Sequence, residues 1–132
     1  MLEDLKPGAY GEVTWKVLEE HCTRRGQYDI FSTPSMVRLL ETAGIEALKP
    51  YLSAEQASVG TRIDVRHLAP TLKGMSVRAV ATVREVERRR IVFDVEIFDD
   101  VEKVGEALQE RFIVDLDRYT QRLEQKRGNE KA

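Results

Sequence analysis

The sequence predicts an α+β domain in which one long helix packs against a curved antiparallel sheet of about five strands. Two observations support this prediction: a capped helix with a continuous apolar face falls near residues 33–49, and four segments with strand-type alternation follow it. One strand before the helix and a short helix at the end complete the order. The length of 132 residues and the 42% hydrophobic content fit a single domain over residues 1–132.

The first predicted strand covers residues 10–17. Apolar side chains alternate there with polar ones, at Tyr10, Val13, Trp15 and Val17. The segment that follows, residues 19–29, is polar and has no clear period. It is therefore predicted to be a loop.

The long helix is predicted to begin at Pro34 and to end near Lys49. Proline is favoured at the first helical position because its missing N–H costs nothing there, so Thr33 is expected to be the N-cap. Apolar residues then recur at helical spacing, at Met36, Val37, Leu40, Ala43, Gly44, Ala47 and Leu48. Pro50 is expected to stop the helix.

Four more strands are predicted after the helix, and they can run as an antiparallel meander. They cover residues 58–69, 76–86, 91–98 and 104–114. In the first of them, one face is expected to carry Val59, Thr61, Ile63, Val65 and His67. The sequences ERRR and FDDVEK are interpreted as turns between the later strands.

The tail of the chain predicts a short terminal helix. Leu116, Tyr119 and Leu123 recur at helical spacing, with aspartates first and basic residues last. This helix is expected to fray beyond about Arg127.

Composition and charge exclude several classes of function. The 21 Lys and Arg against 23 Asp and Glu give a formal net charge of −2, which offers no general attraction for nucleic acid. Cys22 is the single cysteine, so neither an intramolecular disulfide nor a thiolate zinc site is expected. No segment has the roughly 18 apolar residues of a membrane span, and the first residues do not form a signal peptide. A soluble cytoplasmic protein is expected.

Three polar residues lie where chemistry is possible. Glu41 falls at the edge of the helix's apolar stripe, so it is either a boundary charge that reaches water or a working acid. His67 is expected to face inward beside Ile63, as either a satisfied core residue or a working one. Thr33 can cap the helix and also offer a catalytic hydroxyl, because free N–H groups at a helix start stabilise anions.

Other polar groups are interpreted as solvated. His21 and Cys22 stand together in the predicted loop, where they are expected to face water. The arginines at residues 88–90 are expected to solvate a hairpin turn, although such a patch also suits a phosphate-bearing cofactor.

Three segments together resemble a known family: FSTPSMVRLLETAG, VGTRIDVRHLAPTLKGMSV and ERFIVD. Over roughly residues 31–115 the chain resembles the hotdog-fold thioesterases of the fluoroacetyl-CoA thioesterase type. The family's Thr-x7-Glu pattern on the central helix falls on Thr33 and Glu41, and its strand histidine, 26 positions after that glutamate, falls on His67.

The resemblance extends to residues near the expected substrate. The family's glycine matches Gly60 and its arginine matches Arg111, whereas Gln109 stands where the family's pattern has histidine. This departure leaves the Thr, Glu and His positions unchanged. Tyr28, Ile30 and Phe31, in the segment before the helix, are expected to line the acyl pocket.

The resemblance implies a function and an assembly. The expected function is hydrolysis of a small acyl-CoA thioester by Thr33, Glu41 and His67, with no metal and no redox cofactor. Glu41 would attack the thioester carbonyl or deprotonate a water, and both routes stay open. A homodimer or a higher oligomer is expected, with acyl-CoA sites at the subunit interface and no nucleic-acid or membrane partner.

Two other functions are alternatives to hydrolysis. One is a non-catalytic hotdog module that binds acyl-CoA or another small acid without turning it over. The other is a hotdog dehydratase, which is expected to carry an Asp and His in a hydratase-type motif that the sequence lacks. The preferred acyl group is not predicted, and nothing in the sequence argues for fluoroacetyl-CoA itself.

Overall fold

The computed structural model describes residues 1–131 of the chain. The strands and helices, in chain order, are β1 (Tyr10–Lys16), β2 (Cys22–Arg25), β3 (Tyr28–Phe31), α1 (Thr33–Leu48), β4 (Gln56–His67), β5 (Ser76–Glu87), β6 (Arg90–Phe98), β7 (Lys103–Asp115) and α2 (Leu116–Lys131). Neither α1 nor α2 is long and apolar enough to cross a membrane.

Helix α1 begins one residue earlier than the sequence pattern predicts. Ser32 is the N-cap, because its Oγ accepts a hydrogen bond from the backbone N–H of Ser35 at 3.2 Å. The prediction that Thr33 is the cap is therefore wrong, and Thr33 is the first helical residue. The predicted end near Lys49 is confirmed, since Pro50 lies in a short 3₁₀ turn directly after the helix.

The sheet wraps around α1 in the strand order β1-β5-β6-β7-β4, and all neighbours are antiparallel. This arrangement confirms the predicted curved sheet with one long helix. The prediction of a four-strand meander is wrong: β5, β6 and β7 form one, but β4 lies at the far edge beside β7. Alternation shows which face a side chain takes, but it carries no information about which strand becomes the neighbour.

The core lies between the inner face of the sheet and one face of α1. The buried helical residues are Met36, Leu39, Leu40, Ala43, Gly44, Ala47 and Leu48. Gly11 of β1 lies directly against the backbone of Ala47, where any Cβ would collide with it. The helix can therefore approach the sheet closely at this point, and its axis is held across the strands.

A β-bulge divides β4 into two parts with opposite alternation. Gly60 pairs with Arg111 and Arg62 pairs with Glu110, so Thr61 is the extra residue. Ile63, Val65 and His67 take the inner face as predicted, but the prediction that Val59 and Thr61 share it is wrong. Thr61 instead donates to the Glu110 carboxylate at 2.7 Å on the outer face, because one inserted residue reverses the alternation.

The segment predicted as a loop forms a hairpin. Strands β2 and β3 pair antiparallel, and Gly26 makes the turn with a φ of +58°. The loop prediction for residues 19–29 is wrong because β2 carries three polar residues after Cys22 and so shows no apolar alternation. The hairpin leads directly into α1.

Helix α2 leaves the end of β7 and runs over exposed surface. It continues to Lys131, so the expected fraying beyond Arg127 is not observed. Its described residues from Leu116 through position 130 are all exposed. Its apolar side chains therefore contribute little to the core.

Candidate active site

Thr33 and His67 form one half of the predicted site. Ser32 caps α1, so the Thr33 hydroxyl is free to point away from the helix, where its Oγ1 lies 2.9 Å from Nδ1 of His67. His67 is the last residue of β4, and its inward direction follows from the alternation after the bulge. A residue at the helix start and one at a strand end thus meet as a hydroxyl–imidazole pair.

Burial favours the neutral form of the His67 imidazole. Burial lowers the pKa of His67 below its ordinary value, and the backbone of Ala69 offsets this only in part. Its Nε2 is buried and has no hydrogen-bond partner among the residues that the structure describes. With the proton on Nε2, Nδ1 accepts the hydrogen bond from the Thr33 hydroxyl, which leaves the threonine oxygen more nucleophilic and more polar.

The Thr33–His67 pair opens into a cavity of about 320 Å³. Ile30, Leu68, Ala69 and Pro70 supply the rest of its lining. Of the three residues expected to line an acyl pocket, Ile30 borders this cavity, whereas Phe31 is buried in the core and Tyr28 is exposed on the hairpin. Ile30 and Phe31 are neighbours in β3, so their side chains point to opposite sides of the strand.

Glu41 belongs to a second cluster, built around a buried arginine. Arg111 Nη1 donates to Glu41 Oε2 at 2.9 Å and to Gln109 Oε1 at 3.2 Å. Its Nε and Nη2 donate to the hydroxyl and the carbonyl of Ser58 at 2.8 and 3.1 Å. The arginine side chain is only 4% exposed, whereas the glutamate is 36% exposed. The guanidinium therefore binds Oε2 of Glu41 from the buried side, and part of the carboxylate stays accessible to solvent.

Gly60 makes room for this carboxylate. A Cβ at position 60 would lie 2.5 Å from Glu41 Oε2 and 3.3 Å from Arg111 Nη1. Glycine is required here because the carboxylate packs directly on the strand backbone. Gly60 and Arg111 thus lie in one cluster with Glu41, on the inner face of β4 and β7.

Two members of this second cluster were given no role by sequence reasoning: Gln109, which was noted only as a departure from the family's histidine, and Ser58. Gln109 is fully buried and donates its Nε2 to the carbonyl of Leu40 at 2.9 Å, which ties the cluster to α1. Ser58 holds the other side of the arginine. The signal for Gln109 was its inner position in β7, two residues before Arg111, where an unpaired amide would be costly.

The two clusters lie apart within one chain. Thr33 and Glu41 are eight residues apart on α1, which corresponds to about 12 Å along the helix axis. Gly60 and His67 are seven residues apart on β4, about 20 Å along the strand. One protomer therefore joins Thr33 to His67 and Glu41 to Arg111, but it does not join the three predicted catalytic residues.

The amino-acid sequence is similar to known thioesterases. The family described as fluoroacetyl-CoA-specific thioesterase matches residues 13–117. The fluoroacetyl-CoA thioesterase of Streptantibioticus cattleyicolor is 37% identical over 98 residues, which cover 74% of this chain and 70% of that protein.

Solved structures share the fold. A fluoroacetyl-CoA thioesterase superposes with a TM-score of 0.84 at 30% identity, covering 92% of this chain and 97% of that one. A hot-dog-like protein from Thermanaerovibrio acidaminovorans has a TM-score of 0.85 at 29% identity, covering 94% of each chain. A thioesterase superfamily member from Thermus thermophilus, at 24% identity, has a TM-score of 0.89 over 96% of each chain and supports the fold alone. The predicted hotdog fold is confirmed.

Proposed function

This chain belongs to the fluoroacetyl-CoA-specific thioesterase family and is a thioesterase, and on that premise we propose that it hydrolyses short acyl-CoA thioesters with Thr33, Glu41 and His67. The observation that carries the proposal is the 2.9 Å Thr33–His67 contact at the mouth of a small cavity with apolar walls. A short acyl chain fits such walls, and a neutral imidazole beside it can move protons.

The reaction balances with water alone. The carbonyl carbon gains a C–O bond, its C–S bond breaks, and the proton lost by water ends on the thiolate of CoA. Glu41 either attacks the carbonyl or takes the proton from the attacking water, His67 carries protons, and Thr33 hydrogen-bonds the reacting group. A single turnover in ¹⁸O-labelled water tests for direct attack by Glu41. If water opens the resulting mixed anhydride at the glutamyl carbonyl, the released acid carries an unlabelled oxygen from Glu41 and the label enters Glu41, whereas the water route labels only the acid.

We propose that a homodimer completes the site. Strand β4 is 12 residues long and lies at the sheet edge, so among the described residues its outer backbone groups form no ladder. Such an edge is a template for pairing with a second copy, and a two-fold axis gives an antiparallel pair. Pairing centred on Asp64, with Thr61 skipped as it is against β7, sets Gly60 opposite His67 of the partner subunit.

This register explains why one protomer separates the catalytic residues. Gly60 and His67 both face inward, so paired strands would bring Glu41 beside His67 of the partner subunit. Each dimer would hold two identical sites. The buried Nε2 of His67, which has no partner among the residues described in one chain, would then face a carboxylate.

A panel of short acyl-CoA thioesters, with fluoroacetyl-CoA among them, tests the activity by release of free CoA. Glu41→Gln should lower kcat by about 10³-fold or more while the protein stays folded, because the basicity is lost and the shape is kept. Glu46→Gln, on the same helix and paired with Lys49 at the surface, is the matched control. Binding without CoA release by the wild-type protein would support the non-catalytic module, which family membership does not favour.

Mixing inactive subunits tests the shared site. Glu41→Gln and His67→Asn proteins, unfolded together and refolded, would form heterodimers with one intact site each. About a quarter of wild-type activity should return, since half of the dimers are mixed and half of their sites are whole. No recovery in samples shown to contain heterodimers would place all three residues of a working site in one chain.

A further inference from the structure

A second groove lies on the outer face of the sheet, away from both catalytic clusters. It has a volume of about 370 Å³ and runs between the end of β7 and helix α2. The residues that matter in its lining are Arg89, Phe112, Asp115, Arg118, Tyr119 and Arg122. Neither the hydrolytic chemistry nor the core uses these side chains.

The groove carries an excess of positive charge. Arg89 is paired with Asp115 at 3.0 Å. Arg118 and Arg122 are one helical turn apart on α2, and within residues 1–130 no carboxylate lies within 4.0 Å of either guanidinium. The groove therefore holds a net charge of two positive units on a chain whose formal charge is −2.

Two aromatic rings share this lining with the arginines. Phe112 is 41% exposed and Tyr119 is 38% exposed, although both are large enough to be expected in a core. An exposed ring beside unpaired guanidinium groups is the combination that binds a base by stacking and its phosphates by bidentate hydrogen bonds. The groove thus suits an anionic nucleotide better than an apolar ligand.

We propose that this groove binds the 3′-phosphorylated ADP part of coenzyme A. The inference rests on the proposed function, which supplies CoA as the carrier of the acyl group. The phosphates lie against Arg118 and Arg122, and the adenine stacks on the exposed rings. The Arg89–Asp115 pair closes the end of the groove beside the turn at residues 88–90.

The sheet register connects this groove to the catalytic groups. Asp115 pairs with Gln56 of β4. On the inner side, Gln56 and Ser58 line a mostly apolar groove of about 300 Å³ together with Ile45 and Leu52. Ser58 binds Arg111, which holds Glu41. A pantetheine arm in the inner groove leads from the Glu41 cluster to the same end of the sheet at which the nucleotide groove opens.

Arg118→Gln/Arg122→Gln tests the proposal in the full-length protein. KM for an acyl-CoA should rise about 10-fold or more with kcat within about twofold, because charge-assisted phosphate contacts are lost away from the chemistry. KM for the corresponding acyl-pantetheine, which has no nucleotide, should not change. The control variant is Arg25→Gln/Arg127→Gln, which removes the same charge from outside the groove. Arg25 is exposed on the hairpin, and Arg127 lies on another side of α2.

Calorimetric titration with adenosine 3′,5′-bisphosphate measures the subsite without turnover. The wild type and the control should bind it, and the groove variant should bind it at least about 10-fold more weakly. Equal binding by the groove variant, or an equal KM rise for acyl-pantetheine, would overturn the nucleotide site and leave hydrolysis untouched. Retained bisphosphate binding by a protein that releases no CoA from any thioester would overturn the hydrolytic proposal alone.

Discussion

The Glu41 end of β4 and the His67 end are built in opposite ways. Glu41 rests on a buried arginine whose other hydrogen bonds are all made within the chain, and a glycine gives it room. His67 has one side-chain partner, the exposed Thr33, and a buried Nε2 that no described residue satisfies. The first cluster is complete in one protomer, whereas the second requires a group from elsewhere. The Glu41 end therefore contributes to the stability of one protomer, whereas the His67 end has a polar atom that the described residues of one protomer do not satisfy.

Removing the arginine should have the largest effect, because it disrupts the complete cluster. Arg111→Met leaves Glu41, Ser58 and Gln109 without their shared donor. The free energy of unfolding should fall by about 3 kcal/mol, near the low end for a broken buried pair because Glu41 is one-third exposed. Urea denaturation measures the loss. Arg90→Met, which breaks exposed ion pairs to Glu85 and Glu110, is the control, and equal losses in the two variants would show that burial is unimportant here.

Gly60→Ala should change the position of the Glu41 carboxylate without changing the stability of the fold. The new Cβ would push on the end of a flexible side chain, so the carboxylate shifts while the fold stays intact. The value of kcat should fall by roughly 10- to 100-fold, since a displacement of about 1 Å can cost that much. Gly128→Ala, where a Cβ meets nothing within 4 Å, should be active like the wild type. An unchanged rate in Gly60→Ala would remove the carboxylate's position from the mechanism.

Acid should affect the His67 end first. The folded pKa of His67 lies below its ordinary value because burial disfavours the cation, so between these two values the unfolded chain binds a proton that the folded chain does not. The stability of a protomer without its partner should therefore fall as the pH drops through that window, whereas in the proposed dimer the carboxylate of Glu41 of the partner subunit offsets this shift. His67→Gln should lack this stability slope, while His21→Gln should retain it. Unfolding curves at pH 7.5 and pH 5 measure the difference.

Removing the N-cap of α1 should have the smallest effect on stability. It also tests whether capping by Ser32 leaves the Thr33 hydroxyl free to contact His67. Ser32→Ala should lower the free energy of unfolding by about 1 kcal/mol, the usual cost of a lost N-cap. Ser32→Asp preserves an acceptor for the Ser35 N–H and should restore most of it. Equal stability of Ser32→Ala and wild type would mean that the Thr33 hydroxyl takes over the cap, and its contact with His67 should then be lost.

Most residues of the candidate site could be predicted from the sequence, but their arrangement into two separate clusters could not. Thr33, Glu41, His67, Gly60 and Arg111 were identified by spacing and resemblance. The sequence nevertheless predicts Thr33 as the cap, because both Ser32 and Thr33 are good N-cap residues and Pro34 is favoured directly after a cap. The direction of His67 was predicted correctly only because the residues after the bulge keep the simple alternation.

The sequence by itself determined the family, the order of most elements and the face that α1 buries, because helical spacing and strand alternation are local properties of the chain. The hairpin at residues 22–31, the bulge at Thr61 and the edge position of β4 were decided by tertiary structure. Each depends on which distant strand supplies hydrogen bonds, and no local pattern records that choice. The same long-range pairing places Arg111 behind Glu41 and keeps Glu41 away from the His67 of its own chain.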